Sequence, residues 1–456
     1  MSNPGEADLT PIENTAQLAA WFAAGSKPRD HWRIGTEHEK FGFRRTDGLP
    51  PPPYGTTDAG PHAGPGIRDV LEGLTRFGWE PILDEGNPIG LKRGEASVSL
   101  EPGGQFELSG APLRTVIEAE AELANHLDEL EAVAGPMGLG FAGLGFHPVA
   151  ARDAMPWMPK SRYAIMRNYM PRVGGMGLDM MLRTCTVQAN LDFGDEADMV
   201  EKLRISLALQ PLGTALWANS PFRENAPSGF LSLRGHVWTD TDPDRTGVPA
   251  VAFEDGFGFE RFADWVLDVP MYFVMRDGTF VDAAGASFRR FVAEGLPGRP
   301  DIRATMGDWA DHVTTVFTDV RLKRFLEMRG SDVGDRAMIN ALPAFWCGLL
   351  YDDAAQKAAA ALVRGWSVAS IRDLRQAVPR AGLSAGIDGR ALRDVARDVL
   401  AIARGGLRAR GLGEERLLDP LDAIVASGAT RAQHWLDRYH GAWKGDASRA
   451  LIEAAF

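Results

Sequence analysis

Four short segments carry oxygen-bearing side chains on alternate residues. Residues 34–43 contribute Glu37 and Glu39, and residues 99–108 contribute Glu101, Gln105 and Glu107. Residues 186–193 contribute Thr186, Gln188, Asn190 and Asp192, and residues 325–329 contribute Glu327 with Arg329. In an extended strand, residues two apart share a face. Four such strands side by side would line one cavity with carboxylates and amides. Hard divalent cations and the phosphates they carry favour such a lining. Phe41 and Phe43 continue the Glu37–Glu39 face, which points that face inward. Buried carboxylates need a compensating cation, since neighbouring acids otherwise repel or take up protons; Mg²⁺ meets that need.

The amides of Gln188 and Asn190 both donate and accept, which suits a substrate carboxylate or the water shell of a metal. Their strand turns Val187, Ala189, Leu191 and Phe193 the other way. Residues 320–329 add positive charge. As one strand they would set Arg321, Lys323, Phe325, Glu327 and Arg329 on a single face, with Glu327 joining the metal set and Arg329 gripping phosphate oxygens; a surface ladder of ion pairs is the alternative. Arg162 and Arg234, each in a polar segment, could fork onto an amino-acid carboxylate. Cys185, Cys347 and His38 read as packed structural residues, and Trp157 and Trp238 as core before pocket.

These side chains need a frame. A short helix is expected over residues 14–24, closed by Gly25. A turn-rich loop follows from 48 to 66, then a helix near 67–77. Residues 79–83 and 90–100 read as strands, with a hairpin turn near 93–95 and a bulge at Pro102-Gly103. The clearest helix covers 112–134, with Pro112 at its start. A strand near 140–146 leads into an irregular stretch, 148–177, and another long helix is expected over 197–215. Helices dominate 371–455. The order favours an α+β fold with a largely antiparallel sheet. It reads as one large catalytic domain over 1–456 whose part from about 350 is mainly helical. There is no strand–Gly-X-Gly-X-X-Gly–helix and no Walker loop, so a nucleotide must be held another way.

The chain has 456 residues, 45% of them apolar, enough for a large core. Its 61 acidic and 49 basic side chains give a formal charge of −12. Without a basic block, nucleic-acid binding is not expected. Two cysteines allow no disulfide framework and no Cys-X-X-Cys zinc pattern. No secretion signal is read at residues 1–6 and no membrane span elsewhere. A reducing cytoplasm is the simplest setting.

The chain closely resembles the plant-type glutamate–cysteine ligases, which also occur in proteobacteria. The likeness rests on residues 35–43, 101–110, 167–171, 182–188, 218–222, 238–242, 326–330 and 342–346, so it spans nearly the whole sequence. It implies a glutamine-synthetase-like sheet curved into a funnel, with helices outside. It implies ATP as co-substrate and Mg²⁺ held by Glu37, Glu39, Glu101 and Glu107, with Glu327 a further ligand. Arg162 and Arg234 would grip substrate carboxylates, with Gln188 and Asn190 beside them and Tyr272 in the cysteine pocket. Arg329 and Lys323 would contact ATP, and Arg329 and Arg234 would be the catalytic pair. Ala283, Gly298 and Asn340 stand where plant relatives show cysteine, so no thiol–disulfide switch is expected. These departures imply a bacterial cytoplasmic member; small-molecule substrates and a monomer or weak homodimer are expected. Another carboxylate–amine ligase of the same fold and a metal-dependent phosphohydrolase are the competing readings.

Overall fold

The computed structural model describes residues 8–46, 51–57 and 63–456. The expectation for residues 1–6 and parts of the 48–66 loop lie outside the described residues. An eight-stranded antiparallel sheet forms the frame. From one edge its strands are Val320–Leu322, Leu326–Asp332, Thr186–Leu191, Ile34–His38, Phe106–Ser109, Ala96–Leu100, Asn87–Arg93 and Glu80–Asp84. The fold is therefore α+β around a largely antiparallel sheet, as expected.

Register follows from the alternation. Val187, Ala189 and Leu191 are fully buried on one face of the central strand, Val187 and Leu191 each contributing roughly 1.5–3 kcal/mol. A one-residue slip would send Gln188 and Asn190 into that core instead. The observed register sets Glu37 opposite Gln188 and opposite Ser109. Next to that row, Asn190 faces Gly35 on one side and Glu327 on the other. The helix Glu196–Leu216 packs on the strand Leu326–Asp332, and the helix Arg336–Leu350 packs on the strand Thr186–Leu191 and on the helix Leu392–Arg410. The C-terminal helices thus share the core that backs the central strands.

Several local expectations change. The 34–43 run divides into Ile34–His38 and Phe41–Arg44; the second pairs with Leu139–Ala142 outside the main sheet. The strand expected to 146 therefore stops at Ala142. The helix expected from Pro112 begins at Val116, because Thr115 caps it and Glu118 completes a capping box. The 148–177 stretch is not irregular throughout; Arg162–Tyr169 is helical. Residues 320–329 are not one strand. The chain turns at 323–325, where the Lys323 N–H donates to the Phe325 carbonyl at 2.8 Å, so Arg321 stands across from Glu327 in a hairpin. No helix among the described residues is long and apolar enough to cross a membrane.

Candidate functional site

A cleft opens on the polar face of the sheet. Glu37, Glu39, Glu101 and Glu107 line it together with Gln105, Arg162, Gln188, Arg234, Arg321 and Arg329. Residues up to 292 positions apart meet here because the central strands come from distant parts of the chain (Glu37 to Arg329). Trp238, Tyr163, Phe317, Met180 and Met181 supply apolar wall.

The acidic half is built on two strands and a turn. Glu101 and Gln105 flank a three-residue connection in which the Gly104 N–H donates to the Glu101 carbonyl and the Glu101 N–H to the Gln105 carbonyl, both at 2.9 Å. Gly104 has φ +85, which a side chain would resist. A Cβ on Gly103 would stand 2.3 Å from the Leu182 carbonyl oxygen, so only glycine lets this turn lie against the segment behind it. Gln105 pins the turn: its Oε1 accepts from the Gly103 N–H at 2.8 Å, and its Nε2 donates to the carbonyls of Thr184 at 3.0 Å and Met181 at 3.2 Å. Ser99 Oγ donates to Glu107 at 2.7 Å. The Thr186 N–H donates to Glu39 at 2.9 Å, and Asn190 Nδ2 donates to Glu37 at 2.7 Å.

Burial, and then the charges of Glu101 and Glu107, push the Glu39 carboxyl well above the usual range. Burial, and then Glu37 and Glu101, push Glu107 up to about 7. Enclosed carboxylates that repel one another are stabilised by an added cation. A hard divalent cation fits that need, although no group of three or more His, Cys, Asp or Glu among the described residues stands close enough to form a ready-made metal cluster.

The basic half differs from the sequence expectation. Glu327 is fully buried and is claimed by three cations. Arg321 Nη2 donates to both its oxygens at 2.7 and 2.9 Å. Lys323 Nζ lies 2.6 Å away, and Arg329 Nη1 bonds it as well. Burial raises the Glu327 pKa, but Arg321, Lys323 and Arg329 outweigh it and hold the carboxyl well below its usual range. This arrangement corrects its assignment as a metal ligand: its charge is spent anchoring cations. Lys323 does not line the cleft; the turn at 323–325 draws its amine under Glu327. Arg329 does line the cleft, held also by Gln188 Oε1 at 3.2 Å and flanked by Trp238 and Phe317.

Arg234 is 2% exposed. Its Nη2 donates to the Arg329 carbonyl at 2.8 Å, while Nε and Nη1 have no partner among the described residues. Ser232 caps the short helix that carries it, and Asp332 anchors this corner by accepting from Ser220, Ser232 and the Asn219 N–H at 2.6–2.8 Å. Arg162 also reaches the cleft, and its buried Nε is likewise unpartnered. Unpartnered buried guanidinium N–H groups are costly, so both point to anions that complete them.

Tyr272 does not reach the cleft; it is 1% exposed, with its hydroxyl 3.3 Å from Asp242 and Arg245 stacked 3.8 Å over its ring. Its neighbour Phe273 lines the wall instead. Asn190 serves Glu37 rather than the open cavity. Arg321 is legible in the sequence only as a charge alternating with Glu327. Thr314 and Thr315, which also line the cleft, give no signal there.

An eight-stranded antiparallel sheet thus carries a cleft with an acidic and a basic half, a lining suited to the phosphoryl chemistry of a ligase. The chain belongs to glutamate–cysteine ligase family 2, whose family model matches residues 33–453. It is 50% identical over 440 residues to glutamate–cysteine ligase B, chloroplastic, of Oryza sativa, covering 96% of this chain and 86% of that protein. It is 51% identical over 427 residues to the chloroplastic glutamate–cysteine ligase of Arabidopsis thaliana, covering 93% and 80%. Its fold matches the glutamate–cysteine ligase of Francisella tularensis solved in complex with AMP, with a TM-score of 0.54, 11% identity, and 93% and 88% of the two chains covered. These relatives overturn the cytoplasmic expectation, since the plant proteins at about half identity are chloroplastic. They lend no support to a bacterial origin either.

Proposed function

We propose that this protein joins the side-chain carboxylate of L-glutamate to the amine of L-cysteine at the expense of ATP, the first step of glutathione biosynthesis. The observation that carries this reading is the pairing, in one cleft, of four carboxylates with arginines whose buried N–H groups lack partners. Family membership supports it.

A free carboxylate is a poor acyl donor. Transfer of the ATP γ-phosphoryl group to the glutamate side chain gives γ-glutamyl phosphate and ADP. The cysteine amine then attacks that acyl carbon, inorganic phosphate leaves, and the amine gives up a proton as the amide forms. Glu37, Glu39, Glu101 and Glu107 would hold magnesium, which when bound offsets the charge on phosphate oxygens. Arg329, tethered by Glu327 and Gln188, presents its guanidinium to the transferred phosphoryl group at no cost of reorganisation. Arg234 forks onto an amino-acid carboxylate and orients the acceptor, and Arg162 adds a second guanidinium for an incoming anion. Arg321 aligns Arg329 through their shared carboxylate.

Product analysis by mass spectrometry with glutamate, cysteine, ATP and magnesium tests the reading. The expected result is γ-glutamylcysteine with one ADP per peptide bond. ADP release without both amino acids would favour a phosphohydrolase, and a faster reaction with another amine would favour a different ligase of this fold.

A further inference from the structure

Beside the acidic half lies a second pair of cations that the chemistry above leaves unused in part. Lys160 is 4% exposed, and its Nζ has no hydrogen-bond partner among the described residues. Two residues on, Arg162 carries a buried Nε without a partner and reaches the cleft. The residue between them holds the segment still: the Ser161 N–H donates to Asp84 at 2.8 Å, and its Oγ lies 3.0 Å from the same carboxylate. The segment also clamps the turn that bears Glu101. Met158 donates its N–H to the Pro102 carbonyl at 2.9 Å, and the Tyr163 hydroxyl donates to the Leu100 carbonyl at 2.7 Å. Lys160 Nζ stands 5.6 Å from the centroid of the Tyr163 ring, and Tyr163 lines the cleft.

A buried ammonium with no acceptor is strongly disfavoured. Nearby are Arg162, Glu101, Glu107, Asp84 and the Tyr163 ring, yet the amine hydrogen-bonds to none of these carboxylates. Burial first, and Arg162 next, lower its pKa to about 7, against the pull of Glu101, Glu107 and Asp84. Arg162 lines the cleft and the Lys160 amine stands beside its Tyr163 wall, each with donors unspent. An incoming polyanion supplies what both lack.

We propose that Lys160, together with Arg162, forms an anion subsite that receives phosphate oxygens of the nucleotide at the acidic end of the cleft. The subsite rests on the ligase reading and gives it a direct phosphate contact that lies outside the carboxylate set. A compact ammonium suits a single phosphate oxygen, while Arg162 keeps its fork for a second.

Calorimetric binding of ATP and of adenosine, each with saturating magnesium and no amino acids, tests it. Wild type should prefer ATP. K160M should lose at least tenfold in ATP affinity while adenosine binding stays the same, and K160R should stay within about threefold of wild type for both. A second readout needs no neutral variant. At pH 8 the wild-type protein should take up more protons on binding ATP than K160R does, by up to one, because the phosphate draws a proton onto an amine that is mostly neutral beforehand; K160R is charged from the start. Equal ATP affinity in K160M, or equal proton uptake in wild type and K160R, overturns the subsite. Failure of the wild-type protein itself to bind ATP would overturn the ligase reading along with it.

Discussion

Replacing Glu327 by glutamine removes one negative charge from a site with essentially no solvent, and leaves Arg321, Lys323 and Arg329 without their common partner. An exposed ion pair is worth about 0–1 kcal/mol, but breaking a buried one costs about 3–5 kcal/mol because the stranded charges stay desolvated. Arg321 and Lys323 are 5% and 6% exposed, so the upper class applies. E327Q should therefore lose about 3–5 kcal/mol of stability. The assay is urea denaturation followed by tryptophan fluorescence, in chelator so that no metal contributes. The pH dependence carries a second signature. The folded carboxyl is held well below 4.5, whereas an unfolded one titrates near 4.3. On acidification the unfolded chain binds the proton first, so this contribution is complete above about pH 4.5 and fades as pH falls through the folded value. E327Q should lack that acid-side decline. If E327Q instead matches wild type in chelator and recovers full turnover with excess magnesium, Glu327 is a metal ligand and the cation-anchor reasoning fails.

Three further outcomes follow from the cleft. Glu101→Gln should cut turnover at saturating magnesium by two or more orders of magnitude with the fold intact by circular dichroism; unchanged turnover would remove Glu101 from the metal set. Glu107, raised to about 7 by burial and its acidic neighbours, binds its proton more tightly in the folded than in the unfolded chain, so metal-free stability should fall as pH rises from about 4.5 to 7. Glu107→Gln should flatten that slope in thermal melts, and a slope identical to wild type would contradict the assigned repulsion. Tyr272→Phe loses the 3.3 Å bond to Asp242 and the 3.6 Å contact with Met170 Sδ, so it should cost about 1 kcal/mol and leave the cysteine KM within twofold; a tenfold rise would return Tyr272 to the substrate pocket.

Much of this site is legible in the order of residues. Alternation in residues 186–193 separates Gln188 and Asn190 from the apolar Val187, Ala189 and Leu191, because side-chain direction in a strand follows from backbone geometry alone. The same logic places Glu37, Glu101 and Glu107 on one polar surface. It fails where the chain reverses. Residues 320–329 keep the alternating pattern through a turn, and nothing in the pattern marks residues 323–325 as the reversal. The Pro112 start is displaced because Thr115 with Glu118 makes a better cap than a proline three residues earlier.

Strand faces, the supply of acids and arginines and the family are thus determined by the sequence itself, since each depends on local periodicity or on motif strings. Which charge neutralises which is decided by tertiary pairing. Glu327 belongs to Arg321, Lys323 and Arg329 because a hairpin brings them together in a medium too dry to leave them apart. Tyr272 turns to Asp242, and the Lys160 amine stands near Glu101 without bonding to it, for the same reason: electrostatic partners inside a protein are set by distances through space, to which spacing along the chain is no guide.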